Sequence, residues 1–307
     1  MIVYLSEPIH PLPRKLLEQH ATIVDTFDAI EQIDAALLRN VSMTEELMKR
    51  AKKLKLVAEH GVGVDNIDLA AAKRLGIAVT NTPQANSDSV AELVVGLIVA
   101  LERNFVQADR AVHAGQVKEA FPVAFQGHSL HGKTLGQIAV GAIGSRVGRM
   151  MKAAFGMDVL AYAPHTSDEK LTELGFKRAV TLEAVIRNSD VVNISIGLNE
   201  ATRNLISGQV FDWFKPNAVL VNAARGGIVN EQDLYEALQT GKLMAAASDV
   251  FEQEPPTPAN PLLSLPNFIA TPHLGASTEE ALMNMAQMAV DEILRLKRGE
   301  PFKNRVV

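Results

Sequence analysis

The sequence predicts an α/β protein built from two doubly wound parallel sheets, and three observations support this prediction. Short β-type runs alternate with helical patterns along almost the whole chain, as in parallel strands joined by crossover helices. The 307 residues are about twice the usual length of one domain. Two long helical stretches, residues 87–113 and 278–297, flank the second series of strands. The simplest organisation inserts residues 99–285 into a first domain made of residues 1–98 plus 286–307.

Apolar runs and helical periodicity assign the elements in chain order. In the first half, strands are expected at residues 1–5, 54–59 and 78–80, and helices at 12–20, 43–52 and 66–75. Ser42 is placed as the N-cap of the helix at 43–52, which then has an acidic first turn. In the second half, strands are expected at residues 135–140, 159–162, 191–196, 218–222, 245–249 and 268–270, and helices at 143–155, 181–188 and 230–240. Gly241 follows the last of these at the position a C-cap glycine favours.

The composition excludes several classes of function. The chain has no cysteine, which excludes a disulfide scaffold, a cysteine nucleophile and a thiolate metal site, and we expect no metal. A net charge of −5 argues against a nucleic-acid partner. The N-terminus has no signal-peptide pattern, and the longest apolar stretch, residues 90–101, is interrupted by Glu92. We therefore expect a cytoplasmic protein that binds a small molecule and no membrane.

A glycine-containing turn joins the strand at 135–140 to the next helix. Dinucleotide-binding turns read G-x-G-x-x-G, whereas this segment has Ala139 at the first glycine position, followed by Gly141 and Gly144. Gly141 allows the backbone to approach a pyrophosphate, and the amides of Ala142 and Ile143 lie at the helix N-terminus, where anions are favoured. Such glycines are also common in purely structural turns, and here the strand–turn–helix context favours the binding role.

The acidic residue that the fingerprint places about 20 positions further on is absent. Ala163 stands there, so the hydrogen bonds to the ribose hydroxyls are lost, together with the charge that would repel a 2′-phosphate. His165, Thr166 and Ser167 are donors suited to such a phosphate, although no arginine lies nearby in the sequence. The expected cofactor is NADP or NAD, with a lean towards NADP.

Three polar segments follow the last predicted strands. Arg225 comes directly after the strand at 218–222, Asp249 and Glu254 follow the next strand, and His273 comes just after the last one. Taken alone, Arg225 also fits a surface arginine, the acidic segment also fits a solvated loop, and His273 also fits a structural histidine. Together, a guanidinium that anchors a carboxylate and a histidine that a carboxylate orients suit hydride transfer with a 2-hydroxy or 2-keto acid.

Six segments carry a family resemblance over nearly the whole chain. They read VGVDNIDLAAAKRLGI, NTPQANSDSVAEL, HGKTLG, NAARGGIVNEQDLYEAL, DVFEQEPP and TPHLGASTEEA. The chain thereby resembles the D-isomer-specific 2-hydroxyacid dehydrogenases, most of all the catalytic part of the D-3-phosphoglycerate dehydrogenases. This resemblance implies a Rossmann-type cofactor domain inserted into a flavodoxin-like substrate domain, a substrate held between the domains, and a homodimer.

The resemblance also implies individual roles. Arg225 would anchor the substrate carboxylate, His273 would act as acid and base, and Glu254 would be its partner. Asp249 would contact the nicotinamide carboxamide, and the residues expected to line the cofactor are Thr82, Ala223, Ala224 and Gly275. The substrate loop would be His60, Gly61, Val62 and Gly63. Ile196 belongs to Ser195-Ile196-Gly197, which replaces the His-x-Pro that usually lines the adenine and ribose.

The substrate stays open at this stage. Glu59 stands where phosphoglycerate dehydrogenases tend to carry an arginine, and a carboxylate there disfavours a substrate phosphate. The chain ends at Val307, so we expect none of the regulatory domains that many of those enzymes append. Glyoxylate or hydroxypyruvate reduction is the alternative activity, with His60 either contacting the distal end of the substrate or packing at a strand end. A non-catalytic NAD(P)-sensing protein is the rival of a different class.

Overall fold

The computed structural model describes residues 1–307, which form two compact units. One unit consists of Met1–Asn86 together with Ala276–Val307, and the other is Ser87–Gly275. The boundaries expected at residues 98 and 286 fall inside two helices, each of which belongs to a single unit. In chain order, the second unit lies between the two segments of the first.

The first unit is built on a five-stranded parallel sheet. Its strands are β1 (Ile2–Leu5), β2 (Thr22–Val24), β3 (Ala35–Leu38), β4 (Leu56–Glu59) and β5 (Ala78–Thr80). Its early helices are α1 (Pro11–Glu18), α2 (Glu45–Arg50) and α3 (Leu69–Leu75). The strand order β2-β1-β3-β4-β5 is that of a flavodoxin-like doubly wound sheet. The long last helix of the chain, which is numbered α10 below, packs on β4.

The second unit is built on a seven-stranded parallel sheet. Its strands are β6 (Thr134–Ile138), β7 (Asp158–Tyr162), β8 (Lys177–Arg178), β9 (Val191–Ile194), β10 (Val219–Asn222), β11 (Ala245–Ser248) and β12 (Phe268–Ala270). Its helices are α4 (Ser87–Glu102), α5 (Phe105–His113), α6 (Ala142–Phe155), α7 (Asp168–Leu174), α8 (Leu182–Arg187) and α9 (Glu231–Gln239), and α10 (Glu279–Arg298) follows in the first unit. The order β12-β11-β10-β9-β6-β7-β8 reverses direction between β6 and β9, as in a Rossmann-type sheet. The predicted fold class is confirmed.

Two details of the helices differ from the expectation. The stretch 87–113 is not one helix, because Asn104 adopts a left-handed conformation with φ of 53° and separates α4 from α5. Asparagine tolerates this conformation better than most residues, and the Asn104 side chain donates to the carbonyl of Gln126 at 3.2 Å. The N-cap of α2 is Thr44 rather than Ser42, since the Thr44 hydroxyl accepts from the amide of Leu47 at 3.4 Å.

Apolar side chains cover both faces of the second sheet. One cluster includes Val185, Ile228 and Leu234, and the opposite cluster includes Ile98 and Met151 from α4 and α6. A parallel sheet covered on both faces needs strands that are apolar on both sides, which accounts for the continuous hydrophobic runs. None of the helices combines the length and the apolar character that crossing a membrane requires.

Candidate active site

The carboxyl ends of three adjacent strands carry the residues expected to perform chemistry. Arg225 follows β10, Asp249 follows β11 directly, and His273 follows β12. Open α/β sheets bind ligands outside the carboxyl ends of their strands, beside the point where the strand order reverses. The topology thus collects residues that lie far apart in the sequence at one edge of the second unit.

A buried asparagine shapes the turn that carries Arg225. The side chain of Asn222 accepts from the amide of Ala224 at 3.1 Å and donates to the carbonyl of Arg225 at 3.0 Å. A Cβ on the next residue, Gly226, would lie 1.9 Å from the carbonyl oxygen of Phe251, so only glycine fits there. Ala223 and Ala224 are half-buried on this turn, and the guanidinium of Arg225 donates to the carbonyl of Ala224 at 2.7 Å. The sequence analysis missed Asn222.

His273 and Glu254 form a hydrogen-bonded pair. The distance between Nδ1 of His273 and Oε2 of Glu254 is 2.7 Å, and Oε1 of Glu254 accepts from the amide of Phe251 at 3.0 Å. Burial raises the pKa of Glu254. This effect is outweighed by the hydrogen bonds from His273 and Phe251 and by the charges of His273 and Arg225, so the pKa of Glu254 is lowered overall. An ionised carboxylate only accepts, so Nδ1 of His273 carries a proton and Nε2 is left for proton exchange.

The backbone of His273 is strained, and a buried carboxylate anchors the loop around it. His273 adopts a left-handed conformation with φ of 54°, which costs roughly 1–3 kcal/mol in a residue other than glycine and is concentrated at functional sites. Asp249 accepts from the Thr271 hydroxyl at 2.6 Å and from the amides of Leu274 and Gly275 at 2.7 and 2.8 Å. Asp249 therefore positions the loop that presents His273, a contribution that the sequence did not reveal.

The turn between β6 and α6 has the geometry of a pyrophosphate cradle. A Cβ on Gly144 would lie 2.4 Å from the carbonyl oxygen of Ala139, whereas nothing lies within 4 Å of a Cβ on Gly141. No side chain caps the N-terminus of the 14-residue α6, so no cap occupies the amides of Ala142 and Ile143. Ala139 itself has φ of 64°, the conformation for which glycine is suited. These residues fit the pyrophosphate of a dinucleotide.

The adenosine end of the predicted site contains an arginine that the sequence analysis did not expect. Ala163 is buried directly after β7, His165 is exposed and Ile196 is half-buried after β9. The guanidinium of Arg178, on the neighbouring strand β8, donates to the carbonyl of Ala163 at 3.0 Å. No arginine lies nearby in the sequence, but strand pairing supplies one in space from 15 residues further along the chain.

On the first unit, the predicted substrate loop is attached to the segment after β5. The amide of Thr82 donates to the carbonyl of Gly61 at 2.9 Å, and the side chain of Asn81 donates to the carbonyl of Val62 at 2.8 Å. Gly63 is half-buried, and the hydroxyl of buried Thr82 has no hydrogen-bond partner. A buried hydroxyl without a partner is costly in a folded protein. The cofactor-lining role of Thr82 stays a prediction.

His60 is buried at the end of β4 with neither ring nitrogen hydrogen-bonded. Burial, and then the charge of Arg39, lower its pKa to about 4, so the imidazole is neutral at neutral pH. Its neighbour Glu59 is also buried, and Oε2 of Glu59 accepts from the side chain of Asn66 at 3.2 Å. The end of β4 therefore combines a neutral imidazole with an acidic side chain. The structure contains no group of three histidine, aspartate or glutamate side chains arranged to hold a metal ion.

The order of the second sheet, the uncapped glycine turn and the polar groups beyond the strands define a class of protein. They are the features of an α/β protein that binds a dinucleotide at the carboxyl edge of a doubly wound sheet. The particular family within this class follows from comparison with known proteins.

Residues 95–275 match the model of the D-isomer specific 2-hydroxyacid dehydrogenase NAD binding domain. The chain is 36% identical to a hydroxypyruvate reductase of Thermotoga maritima over 95% of its own length and 97% of that protein. It belongs to the D-isomer specific 2-hydroxyacid dehydrogenase family, which confirms the predicted resemblance. The matched domain identifies the cofactor as a nicotinamide dinucleotide.

Two further comparisons bear on the extent of the similarity. A D-3-phosphoglycerate dehydrogenase of Methanocaldococcus jannaschii is 38% identical over 99% of this chain, which spans only 59% of that protein. A crystal structure of a Thermus thermophilus protein superimposes with a TM-score of 0.93 at 31% identity, and all of both chains is covered. The chain therefore spans about half the length of several phosphoglycerate dehydrogenases that it matches.

Proposed function

We propose that the protein catalyses hydride transfer between a nicotinamide cofactor and a small D-2-hydroxy acid or its 2-keto acid. The observation that carries this proposal is the His273–Glu254 pair, 2.7 Å apart, which shares its electrostatic environment with Arg225. The three groups belong to a unit whose glycine turn fits a dinucleotide. Family membership supports the same reaction.

In this proposal each side chain has one task. The bound nicotinamide supplies or accepts the hydride. Arg225 holds the substrate carboxylate, because a guanidinium stays charged and binds a carboxylate through two parallel hydrogen bonds. In the reductive direction His273 donates the Nε2 proton to the carbonyl oxygen, and in the oxidative direction Nε2 takes the hydroxyl proton. Glu254 keeps the imidazole in the required tautomer and stabilises its charged form.

We propose a phosphoglycerate-type substrate first, and a small keto acid without a phosphate group as the second candidate. The D-3-phosphoglycerate dehydrogenase relatives support the first substrate class. The buried carboxylate of Glu59 and the neutral imidazole of His60 favour the second, because neither group attracts a phosphate. A hydroxymethyl or aldehyde group on the substrate would be compatible with both the Glu59 and the His60 side chains. The substrate-binding role of residues 60–63 stays a prediction.

A kinetic matrix tests the activity and separates the substrates. NADH and NADPH are each combined with glyoxylate, hydroxypyruvate, pyruvate and phosphohydroxypyruvate, and oxidation is followed by the absorbance of the reduced nicotinamide. The His273→Ala variant should lose about 10²- to 10⁴-fold in kcat. The control is His113→Ala, since His113 is an exposed residue of α5. Absence of turnover with every acid would instead support a non-catalytic, NAD(P)-sensing protein.

We also propose NADP as the preferred cofactor and a homodimer as the assembly. The replacement of the ribose-binding acid by Ala163 supports NADP, and the kinetic matrix measures that preference directly. Exposed apolar side chains in and after α5, including Phe105 at 51% and Phe121 at 95% exposure, support an assembly through the second unit. Sedimentation equilibrium gives the mass, and a monomer at all concentrations would contradict the dimer.

A further inference from the structure

We propose that Arg178 makes the adenosine end of the cofactor site selective for a 2′-phosphate. This inference rests on the proposed function for the use of a nicotinamide dinucleotide, and it adds the residue that distinguishes NADP from NAD. The ligand group that Arg178 would bind is a ribose 2′-phosphomonoester, which is a dianion near neutral pH. Nothing in the order of residues indicated Arg178, because it belongs to β8, an edge strand only two residues long.

Strand pairing brings the guanidinium to the end of β7. Arg178 is paired with Ala161 in the parallel register of β7 and β8, two residues before Ala163. Its Nη1 donates to the carbonyl of Ala163 at 3.0 Å, its Nη2 donates to the carbonyl of Thr166, and its Nε contacts the carboxylate of Asp168. The turn from Ala163 to Asp168 is therefore folded around a cation, at the place where the family fingerprint has an acid.

The guanidinium keeps hydrogen-bonding capacity for a ligand. Arginine has five N–H donors, and the three contacts leave one on each terminal nitrogen. The Arg178 side chain is 29% exposed, and that of its partner Asp168 is 77% exposed, so solvent reaches the pair. The two nearest lysines on these elements are already paired, Lys170 with Glu173 and Lys177 with Asp158. Arg178 is thus the cation positioned for an anion at this turn.

Side chains of the turn complete the polar surroundings. His165 is exposed and Thr166 is half-buried. The Ser167 hydroxyl oxygen accepts from the amide of Lys170 at 3.2 Å as the N-cap of α7, so this oxygen is already engaged in capping the helix. Ala163 offers no carboxylate to bind the ribose hydroxyls or to repel a phosphate. A phosphate would compete with the exposed Asp168 carboxylate for the arginine, and the dianion is the stronger partner.

Two nucleotide fragments test this inference without any turnover. Calorimetry measures the binding of 2′,5′-ADP and of 5′-AMP to the full chain, and the two fragments differ only by the 2′-phosphate. We expect 2′,5′-ADP to bind at least about 10-fold more tightly, and Arg178→Ala to abolish this preference by weakening 2′,5′-ADP binding far more than 5′-AMP binding. The matched control is Arg187→Ala, which removes an arginine paired with Glu183 on α8.

Two more variants separate charge recognition from support of the turn. Asp168→Asn keeps the arginine and removes the competing carboxylate, so it should strengthen 2′,5′-ADP binding. Ala163→Asp restores the acid and should reverse the preference in favour of 5′-AMP. Equal affinity of the wild type for the two fragments, or equal loss of both in Arg178→Ala, would overturn the inference, since the arginine would then only support the turn. Loss of keto-acid turnover with the fragment preference intact would contradict the proposed reaction alone.

Discussion

Ala139 occupies a backbone conformation suited to glycine, and replacing it with glycine should stabilise the second unit. The residue has φ of 64° at the start of the turn that leads from β6 to α6. Its amide donates to the carbonyl of Tyr162 at 2.9 Å, and its carbonyl accepts from the side chain of buried Gln137 at 2.9 Å. These contacts impose the conformation on alanine, whereas glycine would adopt it without a steric cost.

Two opposing terms set the size of the effect. A left-handed conformation costs an L-residue roughly 1–2 kcal/mol, which Ala139→Gly would recover. Glycine also increases the conformational entropy of the unfolded chain, which costs about 0.4–1 kcal/mol. The balance is a net stabilisation of roughly 0–1.6 kcal/mol, or about 0.8 kcal/mol at the midpoints of the two terms.

The single tryptophan of the chain makes this change measurable in the correct unit. Trp213 belongs to the second unit and packs against its core, so its fluorescence during urea unfolding reports on the unit that carries Ala139. Ala153→Gly is the matched control, because it removes the same methyl group from an exposed, regular position of α6 and should destabilise by about 1 kcal/mol. If Ala139→Gly lowers the urea midpoint as the control does, the reasoning about strain is refuted.

Three further predictions concern the other site residues. Because folding lowers the pKa of Glu254, its carboxylate stabilises the folded state at pH values above its ordinary pKa of 4.5, and this contribution is lost as the pH falls through the lowered pKa. The difference in unfolding free energy between wild type and Glu254→Gln should therefore shrink in acid. A difference that is constant with pH would contradict this prediction. Gly226→Ala should abolish turnover, since its Cβ would overlap a backbone carbonyl, while Gly96→Ala, with nothing within 4 Å, should retain activity in the same assay. With its pKa at about 4, His60 stays neutral above pH 5, so His60→Gln should leave the shape of the pH profile of kcat/KM unchanged; a displaced acid limb would show that His60 titrates there.

The parts of the fold with strong local signals could be predicted from the sequence alone. β9 and β10 are fully buried apolar runs, and α6 and α9 have clear helical periodicity and glycines after their ends. Parallel strands place their carboxyl ends at one edge of a sheet, so residues that follow successive strands were expected to lie close together. The segments of Arg225, Glu254 and His273 are therefore predictable as one site from the sequence.

The missed features depend on neighbours in space rather than in sequence. β3 consists of alanine and leucine, which favour helices in isolation, and it is a strand because it is buried between β1 and β4. β8 is too short to produce an alternating pattern, and Arg178 approaches Ala163 only because β8 pairs with β7. The interruption before α5 has a single local signal, the asparagine at position 104.

A common device supports the turns at the edge of the second sheet. In each case a buried polar side chain at or near the end of an otherwise apolar strand binds the backbone of a turn: Gln137 for the turn at Ala139, Asn222 for the turn before Arg225, and Asp249 for the loop of His273. Burying such a group is favourable only when its hydrogen bonds are made, so each anchor restricts the conformations open to its turn. The same restriction holds Ala139 and His273 in left-handed conformations that they would leave in a flexible loop. A lone polar residue near the end of an apolar strand is therefore a sequence signal for the position of a preorganised site.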